Sequence, residues 1–489
     1  MHIGSGYNQF DLLQKIIYKP SEQAQYSLNL QYSQSSNIPR YDNLNDYADS
    51  TLSTLRWAEW YYGPQVRMFG AFNASYQRDR GAFTNASFTL AFQRQEESRH
   101  TRRFGNPNRT SRWEAVDAVT LNADLSKDLS ERTRFNYGLE AVYNDVNSTA
   151  ETRNIDEDAI VAASTRYPDG GSDVQQGGLY ANIRHTFGKT ERVTASLGAR
   201  MNATRMELSF NDTSFIQLPF NSISVNAAAP TASAGIVFRP DELTMLRATA
   251  ATGFRAPNVD DNGKVFEKND LVTVPNNQLK PEYTYNGEIA AARSLFEKVV
   301  TVEATGFYTY LVDAIVRQDW QLNGQDSVLY DGVPGRVVTN LNTNEAHIYG
   351  LGVRLDVKAS ENLTFFGTYN YTYGRDLTAN EPLAHIPPEF GRLSGTWQND
   401  RIRGDFFINY NNWKHLRDYS PTGTDNLEEA TIAGTPSWYT LNARFGYQLS
   451  KWLQLQLAIE NILDKHYKPF ASGMSGPGRN FVFTFRAGF

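Results

Sequence analysis

Cysteine is absent from all 489 residues, so the chain holds no disulfide and no thiolate metal site. Also missing is any run of about 18 apolar residues, which excludes a membrane-spanning helix. There is no basic tail and no long Lys/Arg block. With 47 basic against 53 acidic residues and a net charge of −6, nucleic acid is not expected as the main partner. The opening MHIGSGYNQFDLLQKIIYKP shows no basic stretch followed by an apolar one, so it does not read as a signal peptide. No G-x-S-x-G, H-E-x-x-H, Walker A or zinc pattern occurs, and the seven His residues form no catalytic neighbourhood. The reading is therefore not an enzyme, with no cofactor. Asp42, Asp46 and Asp49, and Asp260, Asp261 and Asp270, lack the spacing of a calcium loop.

What is present is aromatic. Tyr and Phe number 27 and 28, at a mean hydropathy of −0.52. A disordered chain would lack these rings. A β-barrel reconciles the two values, because only alternate residues of each strand need be apolar. Alternation is plain in RNFVFTFRAGF, where Phe481, Phe483, Phe485, Ala487 and Phe489 share one side, and in LQLQLAIE, SLNLQYS and TFFGTYNYTYG.

The connections sort by length. Short turns contain KPSEQ (19–23), SKDLS (126–130), FGKTE (187–191), RPDEL (239–243), FEK (296–298), ASEN (359–362), QND (398–400) and LSK (449–451). Between them lie long stretches at 37–64, 147–174, 207–227, 255–279, 376–388, 414–435 and 466–478. Short turns at one end and long loops at the other are the plan of an outer-membrane barrel. One strand per alternating stretch gives 8–19, 24–36, 65–77, 84–103, 112–127, 131–146, 175–188, 190–206, 228–239, 243–254, 280–294, 298–316, 344–359, 362–375, 389–399, 402–413, 436–449, 452–465 and 479–489. That is about 19 strands. An odd count is unexpected for a single-chain bacterial barrel, and with the missing signal peptide it raises the expectation of further residues on the N-terminal side.

The tail ENILDKHYKPFASGMSGPGRNFVFTFRAGF resembles the C-terminus of TonB-dependent outer-membrane receptors. Asn461, Leu463, Asp464, Lys465, Tyr467, Pro477, Gly478, Arg479 and Phe489 match the pattern. GFRAPNVDD (253–261) followed by NNQLKPEYTYNGE (276–288) is similar to two further family segments, and LAHIPPEFGRLSG, NIPRYDNL and AEWYYGPQ look like Bacteroidetes-type members. The resemblance spans 1–489. It implies a transmembrane antiparallel barrel of 22 strands, of which 19 are accounted for, with the plug, TonB box, signal peptide and first three strands expected upstream. It further implies a Gram-negative outer membrane setting with lipid around the barrel, and coupling to the TonB complex through the plug. The last strand, ending at Phe489, resembles the signal read by the barrel-assembly machinery.

The resemblance implies uptake of a scarce nutrient, most plausibly a ferric siderophore or related chelate. Arg beside aromatic rings suits an anionic chelate, through charge, bidentate hydrogen bonds and flat apolar area. Such groupings occur at Arg40, Tyr41, Trp57 and Trp60, and at Trp413, His415, Arg417 and Tyr419, with Arg255 and Asn258 in the FRAP segment. Haem is less favoured, since no His lies between Phe254 and Glu282; His385 lies in HIPP, which resembles a structural motif, and His415 and His100 remain as candidate ligands. Tyr61, Tyr62, Tyr369, Tyr371 and Tyr373 read as girdle or wall residues, and Arg99, His100, Arg102 and Arg103 as a wall paired with Glu96 and Glu97. A passive porin-like channel and a surface protein-binding barrel are the competing readings.

Overall fold

In the computed structural model, residues 5–48, 51, 53–78, 81–268, 270–421 and 424–488 are described; Asp49 and the terminal Phe489 lie outside them. The described residues form one 26-stranded sheet. Nineteen strands build a continuous wall, each overlapping one of the nineteen predicted spans. Seven short strands belong to the connections: Ile38–Pro39, Trp57–Tyr62, Ile160–Ala162, Phe266–Lys268, Leu271–Thr273, Ser327–Tyr330 and Glu381–Pro382. Wall neighbours pair antiparallel throughout, while Leu271–Thr273 runs parallel to Arg336–Val338.

Apolar rows cross successive parts of the wall through its registers. Leu28 faces Phe72, Phe72 faces Leu90, and Leu90 faces Leu121. Farther round, Ile289 faces Gly306, Gly306 faces Leu351, and Leu457 faces Phe483. These side chains stay uncovered: Ile289 is 71% and Phe483 70% exposed. The alternate residues (Asn73, Thr89, Asn122, Asn286, Thr305 and Gln456) carry polar groups to the other face. A belt of exposed Leu, Ile and Phe on this scale requires a non-aqueous neighbour. Tyrosines edge it: Tyr308 faces Tyr349 and Tyr349 faces Tyr373, with ring centroids 6.5 and 5.1 Å apart.

Above the belt the apolar side changes face. Leu197, Ala199 and Met201 point outward, whereas Met206 and Leu208 on the same strand point inward and are fully buried. Arg205 and Glu207 now face outward and pair at 2.6 Å, both about half exposed. The strand has left its apolar surroundings for water. Here the long connections fold inward into two apolar cores. Val174, Met206, Leu208, Phe210, Ile223 and Val225 form one; Ile216, Val272, Val274, Leu322, Tyr330 and Val337 form the other.

Several boundaries differ from the sequence expectation. The wall strands Asn108–Ser130 and Thr133–Asn154 run well beyond the predicted 112–127 and 131–146, so SKDLS is strand and the turn lies at 131–132. Strand Val333–Lys358 likewise begins before 344 and makes a hairpin with Ser327–Tyr330. The first two extensions stand above the belt, where both faces are polar and the alternation that betrays a strand disappears. Within the described residues, Gln9–Tyr18 pairs only with Ala24–Ser35, and Asn480–Ala487 only with Leu453–Glu460. The wall nevertheless curls round, because the first long connection meets the last: a Cβ on Gly473 would sit 3.1 Å from the Asp42 side chain.

Candidate ligand cleft among the long connections

The FRAP segment is held rigidly where strand Thr244–Arg255 leaves the wall. Pro257 is fully buried. Asn258 caps the short helix Val259–Gly263: its side chain accepts the Asp261 N–H at 2.8 Å, and Asp261 accepts the Asn258 N–H at 3.0 Å. This reciprocal box satisfies two of the helix's orphan donors. Arg255 donates to Asp261 and to Glu282, each at 2.5 Å, and Glu282 accepts the Ile315 N–H at 2.9 Å. Asn340 donates to the Asp261 carbonyl at 2.9 Å and Asn276 to the Asn340 carbonyl at 2.8 Å. Two family segments and two wall strands are thereby tied into one platform.

A cleft of about 760 Å³ opens beside this platform. Its walls come from the FRAP segment (Arg255, Asp260), the top of strand Val300–Asp319 (Arg317), Arg336, the HIPP segment (His385) and the connection at Ser420. Most charges in it are already matched. Arg336 pairs with Asp319 at 3.2 Å. Buried Asp376 accepts from Thr343 at 3.1 Å and from the N–H groups of Thr378 and Ala379. Asp260 accepts from the Tyr167 hydroxyl at 2.8 Å and from Lys264 at 3.0 Å. Burial pushes the Tyr167 phenol up to about 12, so it stays protonated as the donor. Arg317 is different: its Nε is buried without a partner. His385 takes a left-handed backbone (φ 61°), its N–H donating to buried Asp425 at 2.7 Å while its imidazole is 68% exposed. A second hollow of about 860 Å³ lies at the opposite end of the wall, between the short turns, lined by polar side chains such as Asn85, Asp124 and Asn182.

Of the ten residues proposed from sequence for ligand contact, only Arg255 lines the cleft. Arg40 lies 4.8 Å over the Trp60 ring and 5.2 Å over Tyr62, and pairs with Asp42 at 2.5 Å. Trp57 stacks under Arg103 at 5.2 Å, on a strand that pairs with the wall. Tyr41 begins the four-residue helix Tyr41–Leu44. Trp413 donates to the Ala433 carbonyl at 2.9 Å and stacks on His415. Arg417 is 83% exposed, with Asp418 at 3.8 Å. Tyr419 is buried, its hydroxyl 2.6 Å from Thr435 and its ring edge-on to Phe470. His100 is enclosed by Ser98, Ser111, Tyr61 and Trp113. Sequence reading missed Arg317, whose only local signal is its place on the inward-facing parity of strand Val300–Asp319. Among the described residues, no three His, Asp or Glu side chains come together to hold a metal ion.

The C-terminal motif works as a clasp. Asn461, with φ 48°, is buried; its amide donates to the carbonyls of Lys465 (2.8 Å) and Pro477 (3.0 Å) and accepts the Lys465 N–H at 2.9 Å. Asp464 accepts the Arg479 N–H at 2.7 Å, and Arg479 donates to the Ile462 carbonyl at 2.9 Å. A Cβ on Gly478 would come within 2.8 Å of the Asp464 carboxylate, which keeps that position glycine.

Residues 11–462 match the family described as TonB dependent receptor-like, beta-barrel. The chain belongs to that family. It is thus a TonB-dependent receptor barrel of the Gram-negative outer membrane, a family of transport receptors. The copper transporter OprC is similar in fold, with a TM-score of 0.78 at 12% identity over 99% of this chain and 72% of that one. The siderophore receptor PirA from Acinetobacter baumannii superposes at 0.72, with 14% identity over 99% and 71%. In sequence, the heme/hemopexin utilization protein C of Haemophilus influenzae (strain 86-028NP) is 27% identical over 244 residues, which cover 46% of this chain and 33% of that protein. The match therefore spans about a third of that curated relative's length.

Proposed function

We propose that this TonB-dependent receptor barrel forms the wall and outer mouth of an uptake system for a ferric chelate carrying negative charge. The observation that carries this reading is the 760 Å³ cleft, placed among the long connections of a family barrel and lined by Arg317, whose Nε is buried without a hydrogen-bond partner. In this reading the chelate meets Trp413, His415 and Arg417 at the rim and settles against Arg317, with Arg255 and Asn258 keeping the floor rigid. A plug domain that the TonB complex grips would then open the path inward. The apolar belt takes outer-membrane lipid as its neighbour. The last strand, with Phe481, Phe483, Phe485 and Phe489, serves as the handle for the barrel-assembly machinery.

The test is tryptophan fluorescence quenching of the purified protein in detergent, titrated with ferric catecholate, ferric hydroxamate, ferric citrate and hemin. Binding of one ferric chelate at micromolar or lower concentration is expected. A large steady conductance in planar bilayers without chelate binding would establish a passive channel instead. Capture of a macromolecule alone would establish a protein-binding barrel.

Haem is the second reading, favoured by the exposed His385 imidazole on the cleft wall and by the heme/hemopexin relative. It predicts a Soret shift with hemin that His385→Ala abolishes.

A further inference from the structure

Behind the cleft wall, three cations share one carboxylate. Asp260 accepts from Lys264 at 3.0 Å. Arg166 and Arg317 both lie within electrostatic reach of Lys264 and depress its pKa, whereas Asp260 acts in the opposite sense on Arg317, favouring its charged form against burial. The Nε atoms of Arg166 and Arg317 are buried without a hydrogen-bond partner. Among the described residues Arg317 makes no ion pair at all. Aromatic faces supply part of the missing stabilisation: Arg166 lies 5.1 Å from the Phe266 centroid and 5.5 Å from Tyr167, and Lys264 lies 5.2 Å from Phe266. Glu114, which Arg166 also influences, gives one carboxylate oxygen to Arg99 at 2.9 Å, while its Oε1 is buried without a hydrogen-bond partner.

A half-buried group of three cations around one carboxylate is electrostatically incomplete. Uncompensated charge out of water is costly, and a second anion relieves that cost. Burial, reinforced on the lysine by the neighbouring guanidinium groups, pushes both the Lys264 ammonium and the Arg317 guanidinium below their ordinary ranges, as expected where anionic charge is short. Arg317 and Asp260 face the cleft, so the deficit is reachable from the side on which a ligand enters.

We propose that Arg166, Lys264 and Arg317, grouped about Asp260, form an oxyanion subsite that receives a carboxylate of the ligand. Arg317 is the contact residue, with its planar fork matching a carboxylate. Lys264 and Arg166 act through the field they set up behind it. This assignment rests on the chelate-uptake reading for its place in transport, but the charge arrangement can be tested without iron.

The experiment is calorimetric titration of the purified protein in low-salt detergent buffer with iron-free citrate, on wild type and three variants. Arg317→Gln should weaken citrate about tenfold or more, the loss of one charge-assisted contact. Arg317→Lys should retain part of the affinity. Asp260→Asn should strengthen citrate binding, because it removes the competing anion, whereas a merely structural role for Asp260 predicts weakening. Circular dichroism on each variant verifies the β-sheet. Unchanged citrate affinity in Arg317→Gln, or weakened affinity in Asp260→Asn, overturns the subsite. If citrate behaves as expected while no ferric chelate binds wild type, the subsite stands and the chelate-uptake reading falls.

Discussion

Arg112 and Asp331 lie 219 residues apart in the chain and meet at 2.6 Å. Arg112 also donates to the Ser164 carbonyl at 2.8 Å and sits 5.9 Å over the ring of buried Tyr330, with its own side chain only 13% exposed. One guanidinium thus bolts strand Asn108–Ser130 to two long connections. Arg112→Gln leaves Asp331 and the Ser164 carbonyl without their charged donor, at a local cost of about 2–3 kcal/mol. Hydrogen exchange should quicken in 164–167 and 327–337, while 119–129, inside the belt, stays as protected as before. Unchanged exchange in both connections would mean that the apolar core around Tyr330 holds them without the ion pair.

The clasp at Asn461 makes a second test. Its amide satisfies two carbonyls and one N–H from buried ground, and its positive φ is tolerated by Asn better than by most residues. Asn461→Ala should destabilise the pairing of Leu453–Glu460 with Asn480–Ala487 by about 2–4 kcal/mol, from unsatisfied carbonyls and backbone strain together. Asn461→Gly relieves the strain but not the lost hydrogen bonds, so it should lie between the two. Urea unfolding in detergent measures the series; equal stability of the alanine and glycine variants would remove strain from the account.

The nineteen wall strands were legible because an exposed apolar face on one side and polar surroundings on the other impose period two. Where strands Asn108–Ser130 and Thr133–Asn154 rise above the belt, Thr110 faces Thr152 and Arg109 faces Arg153. No face is apolar there, and the pattern fails. The two cores among the connections were missed for the reverse reason: Ile216, Val272 and Leu322 come from short segments with no period, brought together only by the fold. At the site, Arg255 and Asn258 were named from their motif as ligand contacts, whereas their engagement with Asp261 and Glu282 depends on tertiary placement. Arg317 carries no motif. Its lack of a partner is a property of where the nearby carboxylates land.

The Asp260 carboxylate gives the cleft a pH dependence. Burial would raise its pKa, but Lys264, Tyr167 and Arg166 outweigh burial and hold it below the usual carboxylate range. A depressed folded pKa means that the unfolded chain binds more protons in the window below about pH 4, so stability rises with pH there. The contribution is fully present above the unfolded value near 4 and is lost as pH falls through the folded one. Asp260 is half exposed, so solvent screening keeps the effect modest. Intrinsic-rate-corrected hydrogen exchange of 255–268 should quicken below pH 4 in wild type, and Asp260→Asn should flatten that dependence. A wild-type profile flat from pH 6 to pH 3 would show that the carboxylate does not anchor the segment.

Neighbours on one strand separate the two faces of the wall. Leu197 is 60% exposed on the apolar belt, facing Ala234 across the register; Ser196, one residue earlier, projects to the polar inner face. Leu197→Arg places a guanidinium in the hydrocarbon region, a cost of about 2–4 kcal/mol near the bilayer midplane. Ser196→Arg adds the same charge to a polar surface and should stay within about 0.5 kcal/mol. Folding titrations in phospholipid vesicles measure both. Because the two variants share composition, net charge and strand propensity to a close approximation, only the medium on each face can separate them. Equal destabilisation would place lipid on neither face of this strand, and the belt would then be covered by protein.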